Sequence, residues 1–171
     1  MIDKRTLEYI LTDQQEELEE KAQDELCQRK EAVLVDTKST QAQVVIGVRR
    51  SGKSTICYQA LQNAGVKYAY ADFDDERLDG LTAKQLNDVL ETLYKIYGDF
   101  NYLFLDEIQN VKGWHLFVNR MLRKKMHIVI TQGIIVFRSV IQVAEFQQID
   151  MLHLGADWRE KEDEKHHYRN H

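Results

Sequence analysis

The chain has 171 residues, 43% of them hydrophobic, and carries a formal net charge of −5 at pH 7. This length suits one domain with a hydrophobic core and is too short for two ordinary ones, while the negative charge disfavours attraction of nucleic acid or of an anionic membrane. No apolar run approaches the roughly 20 residues that span a bilayer, and the first residues lack the apolar segment of a secretory signal, so the sequence predicts a cytoplasmic protein with no membrane partner.

The first predicted element is an N-terminal helix. Residues 3 to about 32 carry apolar side chains at three- and four-residue steps among Glu, Gln and Lys. Thr12 and Gln15 have the spacing of a capping box, which predicts two helices that meet near Thr12. We expect residues 1–35 to form a helical lead-in that lies on the domain or on a partner.

A strand, a loop with two glycines and a helix come next. Residues 44–46 are apolar and β-branched, as in a buried parallel strand, and the glycine-containing loop 47–54 follows at once. Residues 54–63 have helical composition, and Gly65 stands where the end of a helix favours glycine. Residues 67–73 alternate and are rich in aromatic side chains, so the sequence predicts a β-loop-α-β unit.

The alternation of helix and strand then continues. Thr82 and Gln85 form a second candidate capping box that predicts the start of an amphipathic helix. Residues 102–105 are typical of a buried strand, residues 114–125 predict a helix, and residues 127–131 predict a further strand. In the 114–125 helix the positions predicted to face inward are Leu116, Phe117, Met121 and Leu122. Strands that alternate with helices predict an α/β fold with a mostly parallel sheet.

The sequence thus predicts three consecutive parts. The helical lead-in of residues 1–35 precedes an α/β core at residues 36–131, and residues 132–171 form a divergent C-terminal segment. Within that segment, residues 133–143 are apolar and fit either a strand or a helix. Residues 157–171 are rich in charges and histidines, so we expect a disordered tail.

The loop between the first strand and its helix has the pattern of a phosphate-binding loop. Its residues are Gly47, Val48, Arg49, Arg50, Ser51, Gly52, Lys53 and Ser54, with Thr55 directly after them. Backbone N–H groups and a helix N-terminus hold phosphate oxygens well, and glycine lets the backbone approach them closely. The strand before the loop and the helix after it are the context that this function requires.

Four side chains have specific predicted roles. Lys53 can reach the β- and γ-phosphates, and the Ser54 hydroxyl can bind Mg²⁺. Asp106 and Glu107 end the apolar strand that follows one crossover later. We expect Asp106 to hold the metal through its water shell and Glu107 to act as the general base toward the attacking water.

Polar residues at the next strand end are candidate sensors of the γ-phosphate. Thr131 and Gln132 end a strand that we expect beside the one that carries Asp106. Four arginines are further candidates: Arg49 and Arg50 in the loop, and Arg120 and Arg123, which could complete the site of another subunit. For these residues a solvated surface side chain is the alternative interpretation.

Three motifs together resemble one family. They are Gly-Val-Arg-Arg-Ser-Gly-Lys-Ser-Thr at 47–55, Asp-Phe-Asp-Asp-Glu-Arg-Leu at 72–78, and Leu-Phe-Leu-Asp-Glu-Ile-Gln-Asn-Val at 103–111, followed by Gly113-Trp114. Their combination is similar to the prokaryotic AAA-type P-loop ATPases that often carry a C-terminal DUF4143 domain. The resemblance covers roughly residues 30–131. It implies an AAA+-like three-layer core and ATP with Mg²⁺ as ligands.

The resemblance ends at the strand that carries the candidate sensors. After Thr131, where such proteins usually continue with Gly-Ser-Asn, this chain has Gln132-Gly133-Ile134. Residues 132–171 match no segment expected of the family, which predicts a shortened member without the C-terminal domain.

Three functions compete on these grounds. The first is an ATP-binding protein with Mg-dependent hydrolysis that is weak or depends on a partner, either a second copy or a full-length relative. The second is a nucleotide-binding or structural remnant without turnover. A P-loop phosphotransferase is third because no lid segment with substrate-binding arginines is evident, and a GTPase is disfavoured because no Asn-Lys-X-Asp motif occurs.

Overall fold

The computed structural model of the chain describes residues 2–23, 28–133 and 149–154. Its α-helices are α1 (Lys4–Gln23), α2 (Lys53–Ala64), α3 (Leu86–Tyr97) and α4 (Trp114–Arg123). Its strands are β1 (Ala42–Gly47), β2 (Tyr68–Asp72), β3 (Tyr102–Asp106), β4 (His127–Gly133) and β5 (Ile149–Leu154). Short 3-10 helices cover Lys30–Leu34, Glu76–Leu78 and Ile108–Asn110.

The described strands form one parallel sheet in the order β2-β3-β4-β1-β5. Gly47 lies opposite Gly133, and Asp72 lies opposite Asp106, so these residues mark the carboxyl edge of the sheet. Ligands of such sheets bind outside this edge. Because β4 lies between β1 and β3, the glycine loop and the Asp106 strand face each other across one intervening strand.

Helices cover both faces of the sheet. On one face α1, α3 and α4 bury Leu7, Leu93 and Trp114 in a cluster that includes Leu103 of β3. On the other face α2 and the Lys30–Leu34 helix share a second cluster, to which Phe104 of β3 belongs. Leu103 and Phe104 are consecutive, so β3 packs against both layers as a central strand must. The predicted three-layer α/β fold is therefore confirmed.

The N-terminal helix is continuous where the sequence predicted a joint. Oδ1 of Asp3 accepts hydrogen bonds from the backbone N–H groups of Arg5 and Thr6, both at 3.0 Å, and so caps the start of α1. The Thr12 hydroxyl donates to the Glu8 carbonyl at 2.8 Å inside the helix. The predicted break at Thr12 is wrong, because this hydroxyl bonds back to the preceding turn and does not cap a new helix. Residues 24–27 of the predicted helix lie outside the described residues.

One inward position of α4 was also predicted wrongly. Leu116 is 65% exposed, whereas the buried residues of this helix are Trp114, Phe117, Val118, Met121 and Leu122. The inward stripe starts at Trp114 and continues three and four residues later, which leaves position 116 outside it.

The segment after Thr131 contributes to the sheet at two places. Gln132 and Gly133 extend β4, and β5 pairs in parallel with β1 from Ala42 opposite Ile149 to Gly47 opposite Leu154. Beyond Gly133, the apolar run to residue 143 and the predicted tail 157–171 lie outside the described residues. Within the described part of the chain, none of the helices combines the length and the apolar character needed to cross a membrane.

Candidate functional site

The loop between β1 and α2 is bent by two residues with positive φ. Arg50 has φ 64° and Gly52 has φ 85°, and Gly52 directly precedes α2. Its carbonyl accepts the N–H of Ile56 at 3.0 Å, which starts the helix. The first N–H groups of a helix lack partners within it and form its positive end. The loop therefore presents unpaired donors at the carboxyl edge of the sheet.

A cavity of about 470 Å³ opens beside this loop. It is lined by Arg49, Arg50, Gly52, Lys53, Ser54, Thr55, Asp72, Asp74, Asp106, Glu107, Asn110 and Gly133. The loop residues and the carboxylates that the sequence singled out thus meet in one place, although they come from distant parts of the chain. A volume of this size is in the usual range of small-ligand sites.

Lys53 is the buried cation of the cavity. Its side chain is 5% exposed, and Nζ donates to the Val48 carbonyl at 3.2 Å. Nζ also lies 3.3 Å from Oε1 of Glu107. This ion pair joins the loop to the end of β3, across the intervening strand β4.

Asp106 is held by hydroxyl groups on three sides. Its Oδ1 accepts a hydrogen bond from Oγ1 of Thr131, and its Oδ2 accepts one from the Tyr70 hydroxyl at 3.3 Å. The Ser54 hydroxyl donates to the same carboxylate. Burial raises the pKa of Asp106, and the neighbouring Glu107 charge raises it further, while these hydroxyls oppose the shift. The buried carboxylate therefore has hydroxyl partners and no positively charged one among the described residues.

Glu107 adopts a backbone conformation that is rare for a side-chain-bearing residue. Its φ is 51°, and its N–H donates to the Thr131 carbonyl at 3.2 Å and to Thr131 Oγ1 at 3.1 Å. Oε2 accepts a hydrogen bond from the Gly133 N–H at 2.8 Å and another from Nε2 of Gln109. The Glu107 carboxylate thus contacts Lys53, Gln109 and Gly133, whereas the Asp106 carboxylate contacts hydroxyl groups, so the two adjacent acids have different partners.

The two candidate sensors face opposite sides of the sheet. Thr131 is fully buried and bonds to both Asp106 and the Glu107 backbone. Gln132 is 4% exposed and lies on the face of Ile130, toward the α1, α3 and α4 layer. Among the described residues, Oε1 of Gln132 has no hydrogen-bond partner.

Two further acids reach the cavity that were not singled out as site residues. Burial raises the pKa of Asp72 to about 7, and the neighbouring Asp106 charge contributes to the shift. Asp72 Oδ1 accepts the N–H of Asp74 at 2.8 Å, and Asp74 Oδ2 accepts from Nη2 of Arg49 at 3.1 Å. The signal that could have identified Asp72 is its position near a predicted strand end, because the ends of parallel strands converge at one edge.

The end of β2 is braced by a glutamine from α1. The Asp72 N–H donates to Oε1 of Gln14 at 3.0 Å, while Nε2 of Gln14 donates to the Asp72 carbonyl at 3.0 Å and to Oδ2 of Asp75 at 2.9 Å. Gln14 is 4% exposed. Because β2 is an edge strand, this side-chain amide pairs with its free backbone groups as a neighbouring strand would. The N-terminal helix therefore holds the strand end whose Asp72 lines the cavity.

The candidate arginines of α4 lie apart from the cavity of their own chain. Arg120 donates from Nη2 to Oδ1 of Asn87 on α3, and its guanidinium lies 5.5 Å from the centre of the Phe117 ring. Arg123 is exposed in the last turn of α4.

Comparison with known proteins supplies a family. Residues 39–134 match the family model described as an AAA domain. Over 90 residues the chain is 39% identical to the "Uncharacterized protein MJ1544" of Methanocaldococcus jannaschii, a match that covers 52% of this chain and 20% of that protein. The chain therefore spans about a fifth of the length of this curated relative.

Solved structures give more distant likenesses. A chain of the structure described as "Structural Basis for Katanin Self-Assembly" has a TM-score of 0.42 and 17% identity to this chain. The match covers 67% of this chain and 41% of that one. The structure of C. elegans PCH-2 has a TM-score of 0.42 and 12% identity, covering 70% of this chain and 38% of that one.

Proposed function

Because this chain belongs to the AAA domain family and is a nucleotide-binding protein of AAA type, we propose that its cavity binds Mg-ATP and that Glu107 supports hydrolysis of ATP to ADP and phosphate. The observation that carries the proposal is the meeting of Lys53, Ser54, Asp106 and Glu107 in one cavity at the carboxyl edge of the sheet. Each of these side chains has the chemistry that one part of the reaction needs.

The loop side of the cavity fits a triphosphate. Arg49, Arg50 and Lys53 supply positive charge, and the first turn of α2 supplies unpaired N–H donors. The Ser51 hydroxyl is buried and has no hydrogen-bond partner among the described residues, which fits an oxygen-rich ligand at the loop. Residues 47–55 would therefore bind the phosphates through backbone and side-chain donors together.

The carboxylate side fits Mg²⁺. The Ser54 hydroxyl and the Asp106 carboxylate are oxygen ligands of the kind that Mg²⁺ accepts, and a hydrogen bond already holds them together. Ser54 and Asp106 would hold the ion, which would supply positive charge against the negative charge of the phosphates during phosphoryl transfer. Thr131 would orient Asp106 through its hydroxyl, which is a positioning role, while Gln132 stays a candidate sensor without a cavity contact.

Glu107 has the reach and the support required of a general base. Its Oε1 contacts Lys53, and its Oε2 is held by Gly133 and Gln109. We propose that Lys53 exchanges Glu107 for phosphate oxygens on binding, which leaves Oε1 free to accept a proton from the attacking water. Because Lys53, Gly133 and Gln109 all engage the Glu107 carboxylate, we propose that hydrolysis is slow or depends on a partner.

The second candidate is a protein that binds nucleotide without turnover. It is supported by the same contacts, since a carboxylate engaged by a lysine, an amide side chain and a backbone N–H is a poor base until they release it. A phosphotransferase remains third, because no contact among the described residues favours an acceptor substrate over water.

Binding and turnover are tested separately. Titration with Mg-ATP and Mg-GTP should show preference for ATP, and Lys53→Ala should abolish binding at the concentrations that saturate the wild type. Phosphate release should fall at least tenfold in Glu107→Gln while binding is retained. Equal release by Glu107→Gln and wild type would remove Glu107 as the base, and tight binding with no release above background would select the second candidate.

The wider context is also part of the proposal. The motifs at 72–78 and 103–111 support a closer relation to the ATPases that often carry a C-terminal DUF4143 domain. We propose a cytoplasmic protein that acts with a second copy or with a full-length relative, which would supply the residues of a complete site. Sedimentation of the protein with and without Mg-ATP would test the first of these partners.

A further inference from the structure

Arg29 lies over the phosphate loop although it comes from the segment before the family match. A Cβ placed on Gly52 would lie 3.1 Å from Nη2 of Arg29, 3.5 Å from Cζ and 3.7 Å from Nε. The three nearest atoms therefore all belong to one guanidinium, which covers the open side of this glycine. Arg29 belongs to the helical lead-in and was not singled out by the sequence.

The fold fixes the backbone of Arg29 against α2. Its N–H donates to Oε1 of Gln59 at 2.8 Å, and Gln59 is 5% exposed on α2. Ala32 of the following 3-10 helix and Val35 directly after it are buried in the cluster that α2 forms on this face of the sheet. The segment is thus docked on the helix whose first turn borders the loop, and the reach of Arg29 to Gly52 follows from that docking.

Among the described residues, the charge of Arg29 has no carboxylate partner. Ion pairs of the described residues engage Lys53 with Glu107 and Arg49 with Asp74, whereas no carboxylate of residues 2–23, 28–133 or 149–154 pairs with Arg29. The guanidinium lies beside Gly52, the residue before the positive N-terminal end of α2, and Arg50 is two residues before Gly52 in the loop. Arg29 is exposed, so solvent screens its repulsion from the positive end of the helix, and an anion bound at this place would be attracted by both.

We propose that Arg29 is a ligand for the polyphosphate of the bound nucleotide, donated by the N-terminal segment across Gly52. This inference rests on the proposed nucleotide binding and adds a residue from outside residues 39–134 to the site. A guanidinium presents several N–H donors in a plane, which suits phosphate oxygens better than a single ammonium does. Glycine at position 52 then serves a second purpose, because any side chain there would separate Arg29 from the loop.

The test compares Arg29→Ala with Lys30→Ala, which removes an equal charge from the neighbouring exposed residue. Arg29→Gln, which is shorter and keeps only an uncharged amide donor, and Arg29→Lys, which keeps the charge, complete the set. Binding of Mg-ATP and of magnesium tripolyphosphate, which has no base or ribose, is measured by calorimetry. We expect Arg29→Ala and Arg29→Gln to weaken both probes about tenfold, Arg29→Lys to lie between, and Lys30→Ala to stay within about twofold.

The outcomes are separable. Wild-type affinity in Arg29→Ala overturns the inference and leaves the proposed function intact. A loss with Mg-ATP but none with tripolyphosphate assigns Arg29 to the base or ribose and also overturns it, as does an equal loss in Lys30→Ala. If the wild type binds neither probe, the proposed function and the inference fail together. Unchanged thermal unfolding of the variants shows that the loss, where found, comes from the site.

Discussion

The two sides of the cavity are built in different ways. On the loop side, the shape comes from backbone torsion at Arg50 and Gly52, and few side-chain hydrogen bonds hold it. On the carboxylate side, Asp72 and Asp106 are fixed by a network of side chains from α1, β2 and β4. The backbone conformation at Gly52 sets the shape of the loop side, and contacts between residues distant in sequence set the shape of the carboxylate side.

The two sides also differ in charge. The loop carries Arg49, Arg50 and Lys53, while Asp72 and Asp106 lie opposite with the pKa of each raised by burial. Each side would be stabilised by a ligand of opposite sign, and the proposed magnesium nucleotide would supply both, through its phosphates and its metal. Changes of backbone torsion on the loop side should therefore mainly affect binding, and loss of hydrogen bonds on the carboxylate side should mainly affect stability.

The largest expected effect comes from breaking the loop torsion. Gly52→Ala and Gly65→Ala both place a side chain at positive φ, 85° and 63°, but a Cβ at Gly65 meets no neighbour within 4 Å. Both variants should lose about 1 kcal/mol of unfolding free energy. Only Gly52→Ala should lose Mg-ATP affinity, on the order of 100-fold, or about 2.7 kcal/mol. Similar affinity in the two variants would show that the close approach at Gly52 is not needed.

Breaking the network on the other side should mainly affect stability. Gln14→Ala removes three hydrogen bonds from the end of β2 and leaves backbone groups of Asp72 unpaired, which should lower the unfolding free energy by about 2 kcal/mol. Gln15→Ala is the matched control, since among the described residues its amide donates to Glu19 one turn along α1. It should change the unfolding free energy by less than about 0.5 kcal/mol. Denaturant unfolding of both measures the difference, and equal values would mean that the brace contributes nothing.

Titration of Asp72 should make the stability of the metal-free protein depend on pH. Its pKa is raised from 3.8 to about 7, so the folded state binds more protons than the unfolded state between these values, and stability falls as pH rises through this window. Because Asp72 is partly exposed, we expect a total loss on the order of 1.5 kcal/mol, less than the full shift implies.

Asp72→Asn isolates this contribution. The variant should be more stable than the wild type at pH 8 and should show a flatter profile between pH 4 and 7. Thermal unfolding in the presence of a chelator across this range is the measurement. A wild-type profile that rises with pH over the window, or one that Asp72→Asn leaves unchanged, would contradict the assignment.

The smallest effect should come from the exposed pair that links the two sides. Arg49 and Asp74 form an ion pair at 3.1 Å, with side chains 84% and 49% exposed. A double-mutant cycle with Arg49→Ala and Asp74→Ala should give a coupling of less than about 0.5 kcal/mol in unfolding free energy. A coupling above about 1 kcal/mol would mean that this contact couples the two sides more strongly than its exposure allows.

The order of strands and helices, the glycine loop and the two carboxylates at the end of β3 could be predicted from local sequence patterns. The strand, loop and helix around Gly52 and the carboxylates after Leu105 are contiguous, so periodicity and spacing are enough to find them. The wrong joint at Thr12 arose because a capping box and a hydroxyl bonded inside a helix have the same local sequence.

What sequence could not supply were contacts between distant residues. Gln14 meets Asp72 across 58 positions, and Arg29 reaches Gly52 only because a 3-10 helix docks on α2. Neither residue type nor spacing marks such pairs, since they depend on how layers pack. The end of β4 is similar, because the Gly133 N–H that holds Glu107 is a backbone group and leaves no trace in side-chain patterns.

The place of β4 in the sheet has a dynamic consequence. This strand lies between β1, which leads into the loop, and β3, which ends in Asp106. It carries neither the loop nor Asp106 itself. A ligand that contacts both the loop after β1 and the end of β3 would hold these two strands on either side of β4. Local opening of β4 would then require the ligand to dissociate first. The amide hydrogens of Ile128, Val129 and Ile130 should then exchange with solvent more slowly when Mg-ATP is present, although none of these residues would touch it.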